Sequence, residues 1–123
     1  MSYFESEAHA EEFRHQLLKA YEGEFDVLMA FIEVFTAHSE QLIRETRQSF
    51  EAGDGAEFTR HVHSIKGSLS QLYLSDLTAK AALIEKDSRA NGLNPGVRAR
   101  FEELAEELVL LNSWLKTHFL GQR

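Results

Sequence analysis

The chain has 123 residues and a formal charge of −7, with 43% hydrophobic and 27% charged residues. That length can bury one modest core, and the acidic balance excludes a phosphate-backbone binder, which needs clustered Lys and Arg. With no cysteine in the sequence, disulfides, thiolate metal sites and cysteine nucleophiles are excluded too.

Apolar residues recur at helical spacing almost throughout, and period-2 alternation is nowhere sustained. The spacing predicts a first helix from Glu5 to Ala20, with Phe13, Leu17 and Tyr21 marking one face. After the break "EGEF", a second helix is predicted from Asp26 to Ala52, with Leu28, Phe31, Phe35 and Leu42 in one stripe. His38 interrupts that stripe and is expected to be a partly buried, hydrogen-bonded histidine. Gly53 suits a left-handed C-terminal cap, and Asp54 suits an N-cap for a third helix from Gly55 to Leu74. Ser75 is the expected cap of a fourth helix, with Leu77, Ala81 and Ile84 buried and a stop at Asn91-Gly92. Asn94 as N-cap and Pro95 in the first turn then open the last helix. Its residues Val97, Phe101, Leu104, Leu108, Leu111 and Leu115 form a heptad-like seam.

Short connections between long amphipathic helices imply antiparallel neighbours. The expected fold is therefore all-α: an antiparallel up-and-down four-helix bundle with an additional N-terminal helix. One domain is expected over residues 1–123, with the N-terminal helix and break in 1–24 and the bundle in 25–120. A pattern that closes its own core predicts a monomer. The longest apolar run, "VLMAFI", is too short to span a bilayer, and the acidic N-terminus is unlike a signal peptide. A cytoplasmic protein that binds neither membrane nor nucleic acid is expected. The leading Met1 and a last helix that stops near Arg123 are read as a free-standing protein.

The third helix carries the chemistry, in "EFTRHVHSIKGSLSQLYL" (57–74). Advancing about 100° per residue, Phe58, Val62, Ile65, Leu69 and Leu72 cluster on a common core face. His63 falls about 140° from the centre of that face and should meet water, whereas His61 lies about 60° from it, half against a neighbour. Histidines at i and i+2 point nearly opposite ways, so the two cannot share a metal ion. His61 is structural on this reading and His63 is the candidate.

Lys66 at i+3 and Gly67 at i+4 are the next-turn neighbours of His63. A mid-helix glycine costs about 0.5–1 kcal/mol relative to alanine. On an exposed face that cost makes sense if another molecule must come close. A lysine ammonium about 4 Å from an anion on the imidazole gains roughly 1 kcal/mol in water and about 4 at an intermediate dielectric. Imidazole is ordinarily mostly neutral, and so nucleophilic, at pH 7. These features suit an anion that arrives on His63 and leaves again, and the obvious one is a phosphoryl group held as a phosphoramidate. Such transfer is mostly positioning and charge neutralisation, so a small helical surface suffices if the partner brings the metal. Arg60 and Ser70 are candidates for partner contact. His9, His15 and His118 lie in peripheral segments and receive no role.

Other functions fit less well. A di-iron bundle needs two Glu-x-x-His pairs plus two more glutamates, and the chain offers one such pair, Glu12 with His15. A kinase lacks its parts, since there is no glycine-rich nucleotide loop. A bundle that binds a receiver domain or kinase without carrying phosphate is the remaining alternative, disfavoured by the joint presence of His63 and Lys66.

The segment "HSIKGS" (63–68) resembles the H-x-[hydrophobic]-K-G-[small] signature of histidine-containing phosphotransfer (HPt) domains of two-component phosphorelays. The likeness runs from about Val27 to Phe119. It includes "AGD" before the signature helix, "RANG" as the stop of the next helix, and an apolar final helix. The resemblance implies a phosphorelay intermediate without kinase activity. His63 would accept a phosphoryl group on Nε2 from a receiver-domain aspartate and pass it to another receiver. Lys66 would sit beside the group and Gly67 would clear room for the partner. Glu85 occupies the position from which family members, often with Gln, hold the other imidazole nitrogen. The implied partners are receiver domains of response regulators and of hybrid sensor histidine kinases. No cofactor is implied for the chain itself, and Mg²⁺ would come from the partner. Tyr73 departs from the family pattern, which often has glycine there.

Overall fold

The structure is a computed structural model that describes residues 7–121. The chain is all-α, and the described residues form five helices and no strand: α1 (Glu7–Ala20), α2 (Phe25–Glu51), α3 (Gly55–Gln71), α4 (Ser75–Asn91) and α5 (Pro95–His118). The expected start of the first helix at Glu5 lies outside the described residues.

The helix ends follow from local chemistry. At the end of α2, Gly53 takes φ 70°, a conformation that costs glycine nothing. Its N–H donates to the Phe50 carbonyl, and the Asp54 N–H donates to Ser49, so two carbonyls left open by the helix end are satisfied. The Asp54 side chain then accepts from the Glu57 N–H at 3.1 Å and starts α3. Asn94 caps α5 in the same way, accepting from the Val97 N–H at 2.9 Å, with Pro95 as the first helical residue.

Some boundaries differ from the sequence reading; α2 begins at Phe25 and ends at Glu51, one residue before the expected Asp26 and Ala52. The third helix stops at Gln71 instead of Leu74, because Tyr73 turns to φ 59°. Tyr73 N–H donates to Ser70 and Leu74 N–H to Leu69, the hydrogen-bond pattern that a glycine normally provides at a helix stop. Ser75 is the first residue of α4 and not its cap; Leu74 holds the cap position and offers no side-chain hydrogen bond.

The chain divides into two compact units, one of Met1–Ser39 with Glu107–Arg123 and the other of Glu40–Glu106. In the first, Phe13 and Leu17 of α1 are buried with Leu28, Ile32 and Phe35 of α2 and Leu108, Leu111 and Leu115 of α5. Phe13 meets Trp114 with ring centroids 5.1 Å apart. His38 is exposed, which corrects the reading of it as a core residue: Phe35, Thr36 and Ser39 take the buried positions on that stretch of α2.

In the second unit four helical segments close a ring of contacts. Phe50 of α2 meets Phe58 of α3, and Phe58 meets Phe101 of α5, both edge-on. Asp87 of α4 pairs with Arg100 of α5. Arg47 reaches Glu102 with two hydrogen bonds, and Arg98 reaches Glu51. The partners 47–102 and 51–98 run in opposite senses, as antiparallel helices require. The same is true of 59–88 and 63–85 between α3 and α4. Phe58, Val62, Ile65, Leu69 and Leu72 are all buried, so α3 turns its opposite face outward. No helix of the described residues is long and apolar enough to cross a membrane.

Candidate functional site

His63 stands on the outward face of α3, with 63% of its side chain exposed. His61, two residues earlier, is buried, and its Nε2 lies 3.5 Å from Glu57. The 3.6-residue period separates the two rings, as it must.

Glu85 comes up from α4 beneath the His63 ring. Its Oε2 lies 2.9 Å from His63 Nδ1, and only 5% of its side chain is exposed. Two cations close on the same carboxylate: Lys66 Nζ is 2.7 Å from Oε1, and Arg89 Nη2 is 3.0 Å from Oε2. Burial raises the proton affinity of this carboxyl. Hydrogen bonds from Lys66 and His63, the charge of Lys66 and the hydrogen bond from Arg89 outweigh burial and hold it at about 2. An ionised carboxylate can only accept. Nδ1 must therefore be the donor, and in the neutral ring that tautomer leaves the lone pair on Nε2, directed away from Glu85.

A buried pair of hydroxyls anchors this geometry one turn away. Thr59 Oγ1 and Ser88 Oγ are 2.8 Å apart, and Ser88 Oγ donates to the Glu85 carbonyl at 3.1 Å. With the single Ser88 proton used in that way, Thr59 must donate to Ser88. The bond ties α4 to α3 beside Glu85. A shallow groove runs from this pair along the His63 ring, edged by Arg60 and Arg89. Arg60 is held by Glu57 through two hydrogen bonds.

Gly67 lies one turn beyond His63. A Cβ built there would meet nothing within 4 Å, so no packing inside the chain requires the glycine. The structure thus brings His63, Lys66 and Glu85 together and leaves open space over Gly67. Ser70 is exposed. Sequence reasoning missed Arg89, Thr59 and Ser88. The i,i+4 spacing of Glu85 and Arg89 was the available signal for the first. The hydroxyl pair has no sequence signal, since it depends on how α3 and α4 register. Among the described residues, no group of three or more His, Asp or Glu side chains is placed to hold a metal ion.

A helical domain with an exposed imidazole, one nitrogen tied to a buried carboxylate and the other free, has the makings of a carrier of a transferable group. The chain belongs to the Hpt domain family, whose pattern matches residues 30–114. Members of that family carry phosphoryl groups on histidine in phosphorelays, work with receiver domains and are not kinases. The family carries no intrinsic cofactor. No curated protein and no solved structure matches the chain.

Proposed function

We propose that His63 is the residue that carries the phosphoryl group, taking it from an aspartyl phosphate of one receiver domain and giving it to the aspartate of another. The observation that carries this reading is the hydrogen bond from Nδ1 to an ionised, buried Glu85. It selects the tautomer whose Nε2 lone pair faces solvent.

In the forward step the Nε2 lone pair attacks phosphorus in line. The N–P bond forms while the P–O bond to the donor carboxylate breaks, and the carboxylate leaves with the electron pair. No proton has to move, because Nε2 carries none. The ring keeps its Nδ1 proton and gains positive charge, which Glu85 stabilises at 2.9 Å. The return step reverses these changes on the next aspartate. Lys66, one turn along α3 from His63 and 2.7 Å from Glu85, offers its ammonium to an incoming phosphoryl oxygen and offsets charge as the group arrives. Gly67 gives the partner's backbone room to approach. Mg²⁺ belongs to the acidic pocket of the receiver.

The test is phosphotransfer from a panel of receiver domains phosphorylated on aspartate, following acid-labile label on this chain. Wild type is expected to take up label, while His63→Gln stays helical by circular dichroism and takes up none. Label retained by the His63→Gln variant would move the phosphorylation elsewhere. A wild type that binds receivers and accepts no label would favour a pure interaction module.

A further inference from the structure

We propose that Arg89 is a positioning residue that acts through Glu85 to keep the His63 ring neutral and its Nε2 available. The inference rests on the reading of His63 as the nucleophile.

A carboxylate bonded to an imidazole N–H has two opposite effects. It fixes the tautomer, which favours attack by Nε2. It also attracts the imidazolium, in which Nε2 is protonated and unable to attack. A site with Glu85 alone beneath the ring would pull His63 toward that inactive form. The chain adds cations where they counter this pull. Arg89 Nη2 sits 3.0 Å from Oε2, the same oxygen that accepts from Nδ1, and Lys66 holds Oε1. Because Arg89 donates to Oε2, that oxygen has less negative charge to offer the ring's N–H, and its pull toward the imidazolium is weakened at the atom that makes the contact.

The charged groups around the ring come from two helices. From α3 they are Arg60 and Lys66, and from α4 Glu85 and Arg89, while Lys86 lines a second groove with Glu85 that does not include His63. Arg60 is already paired with Glu57. Lys66 approaches the oxygen that does not touch the ring. Arg89 alone among these cations shares the oxygen that holds Nδ1, and 67% of its side chain is exposed. It can therefore be changed without opening the core.

The inference is tested by following the His63 ring resonances by NMR against pH in wild type, Arg89→Gln, Glu85→Gln and the double variant. Arg89→Gln is expected to move ring protonation upward by about half a pH unit or more, and Arg89→Lys to move it much less. In the Glu85→Gln background, removal of Arg89 is expected to change it little. No upward movement overturns the inference, and so does an equal movement in both backgrounds, which would mean that Arg89 acts directly on the ring.

A second arm uses phosphoramidate as a small phosphoryl donor, comparing Arg89→Gln with wild type at each pH. The variant is expected to lose rate on the acid side, about threefold for half a unit, and to recover toward wild type in alkali. Equal slowing at every pH would mean that Arg89 touches the phosphoryl group, which also overturns the inference. Because the titration needs no phosphotransfer, a wild type that never accepts phosphate would refute the carrier reading separately.

Discussion

At the scale of single residues, the site depends on one carboxylate with three donors on it. His63, Lys66 and Arg89 all reach Glu85, and together they outweigh the burial that would otherwise neutralise it. A carboxyl lowered from 4.5 to about 2 binds its proton more weakly in the folded chain than in the unfolded one. Its stabilising contribution is complete above the ordinary carboxylate range and is lost as pH falls toward 2. Glu85→Gln is therefore expected to be less stable than wild type at pH 7, by about 1–3 kcal/mol. The gap should close as acid protonates Glu85 in the wild type. Urea midpoints at pH 7, 5 and 3 measure it, and a gap unchanged at pH 3 would show that the charge of Glu85 contributes nothing to stability. His63 was legible as a candidate because one helix face and one period decide exposure. Arg89 was not singled out, since a Glu-Arg pair at i,i+4 is ordinary until an imidazole is seen on the same oxygen.

At the scale of helices, two residues of α3 and its stop stand against local preference, and the two differ in consequence. Gly67 sits in regular helix with open space where its Cβ would be. Tyr73 holds φ 59°, where a side chain crowds its own backbone, and 58% of the residue is exposed. Gly67→Ala is expected to stabilise the fold by about 0.5–1 kcal/mol, and Tyr73→Gly by about 1 kcal/mol. Only Gly67→Ala is expected to slow transfer from a phosphorylated receiver, because only that change fills the space beside His63. Chemical denaturation read together with transfer rates checks the pair. A Gly67→Ala variant that is both more stable and fully active would remove the steric account of this glycine. The caps at Gly53, Asp54 and Asn94 were readable because their chemistry is local. The stop at Tyr73 was not, because nothing in a tyrosine announces a left-handed turn; buried Leu72 and Leu74 on either side hold it there.

At the scale of the whole molecule, stability should concentrate where the helix seams meet. In the unit of Glu40–Glu106, Phe101 is almost fully buried and packs edge-on against Phe58, which in turn meets Phe50. Phe101→Ala is expected to cost about 3–5 kcal/mol, a large part of the roughly 5–15 that hold a domain together. Its thermal midpoint should fall by about 10 °C or more. A drop of only a degree or two would show that this ring lies outside the cooperative core. The seam itself was visible in the sequence, since Val97, Phe101, Leu104, Leu108, Leu111 and Leu115 recur with the period of a helix face and all are buried. Periodicity and capping are properties of neighbours in the chain, so the sequence alone determined that the protein is helical, where most helices begin and end, and that His63 turns outward. It could not determine what lies under that ring. Glu85 is 22 residues away from His63, and whether it meets Nδ1, how Lys66 and Arg89 divide its two oxygens, and how Thr59 finds Ser88 all depend on the register of α4 against α3. That register is decided by side chains interlocking across the helix interface, which only the folded chain brings within ångströms of one another.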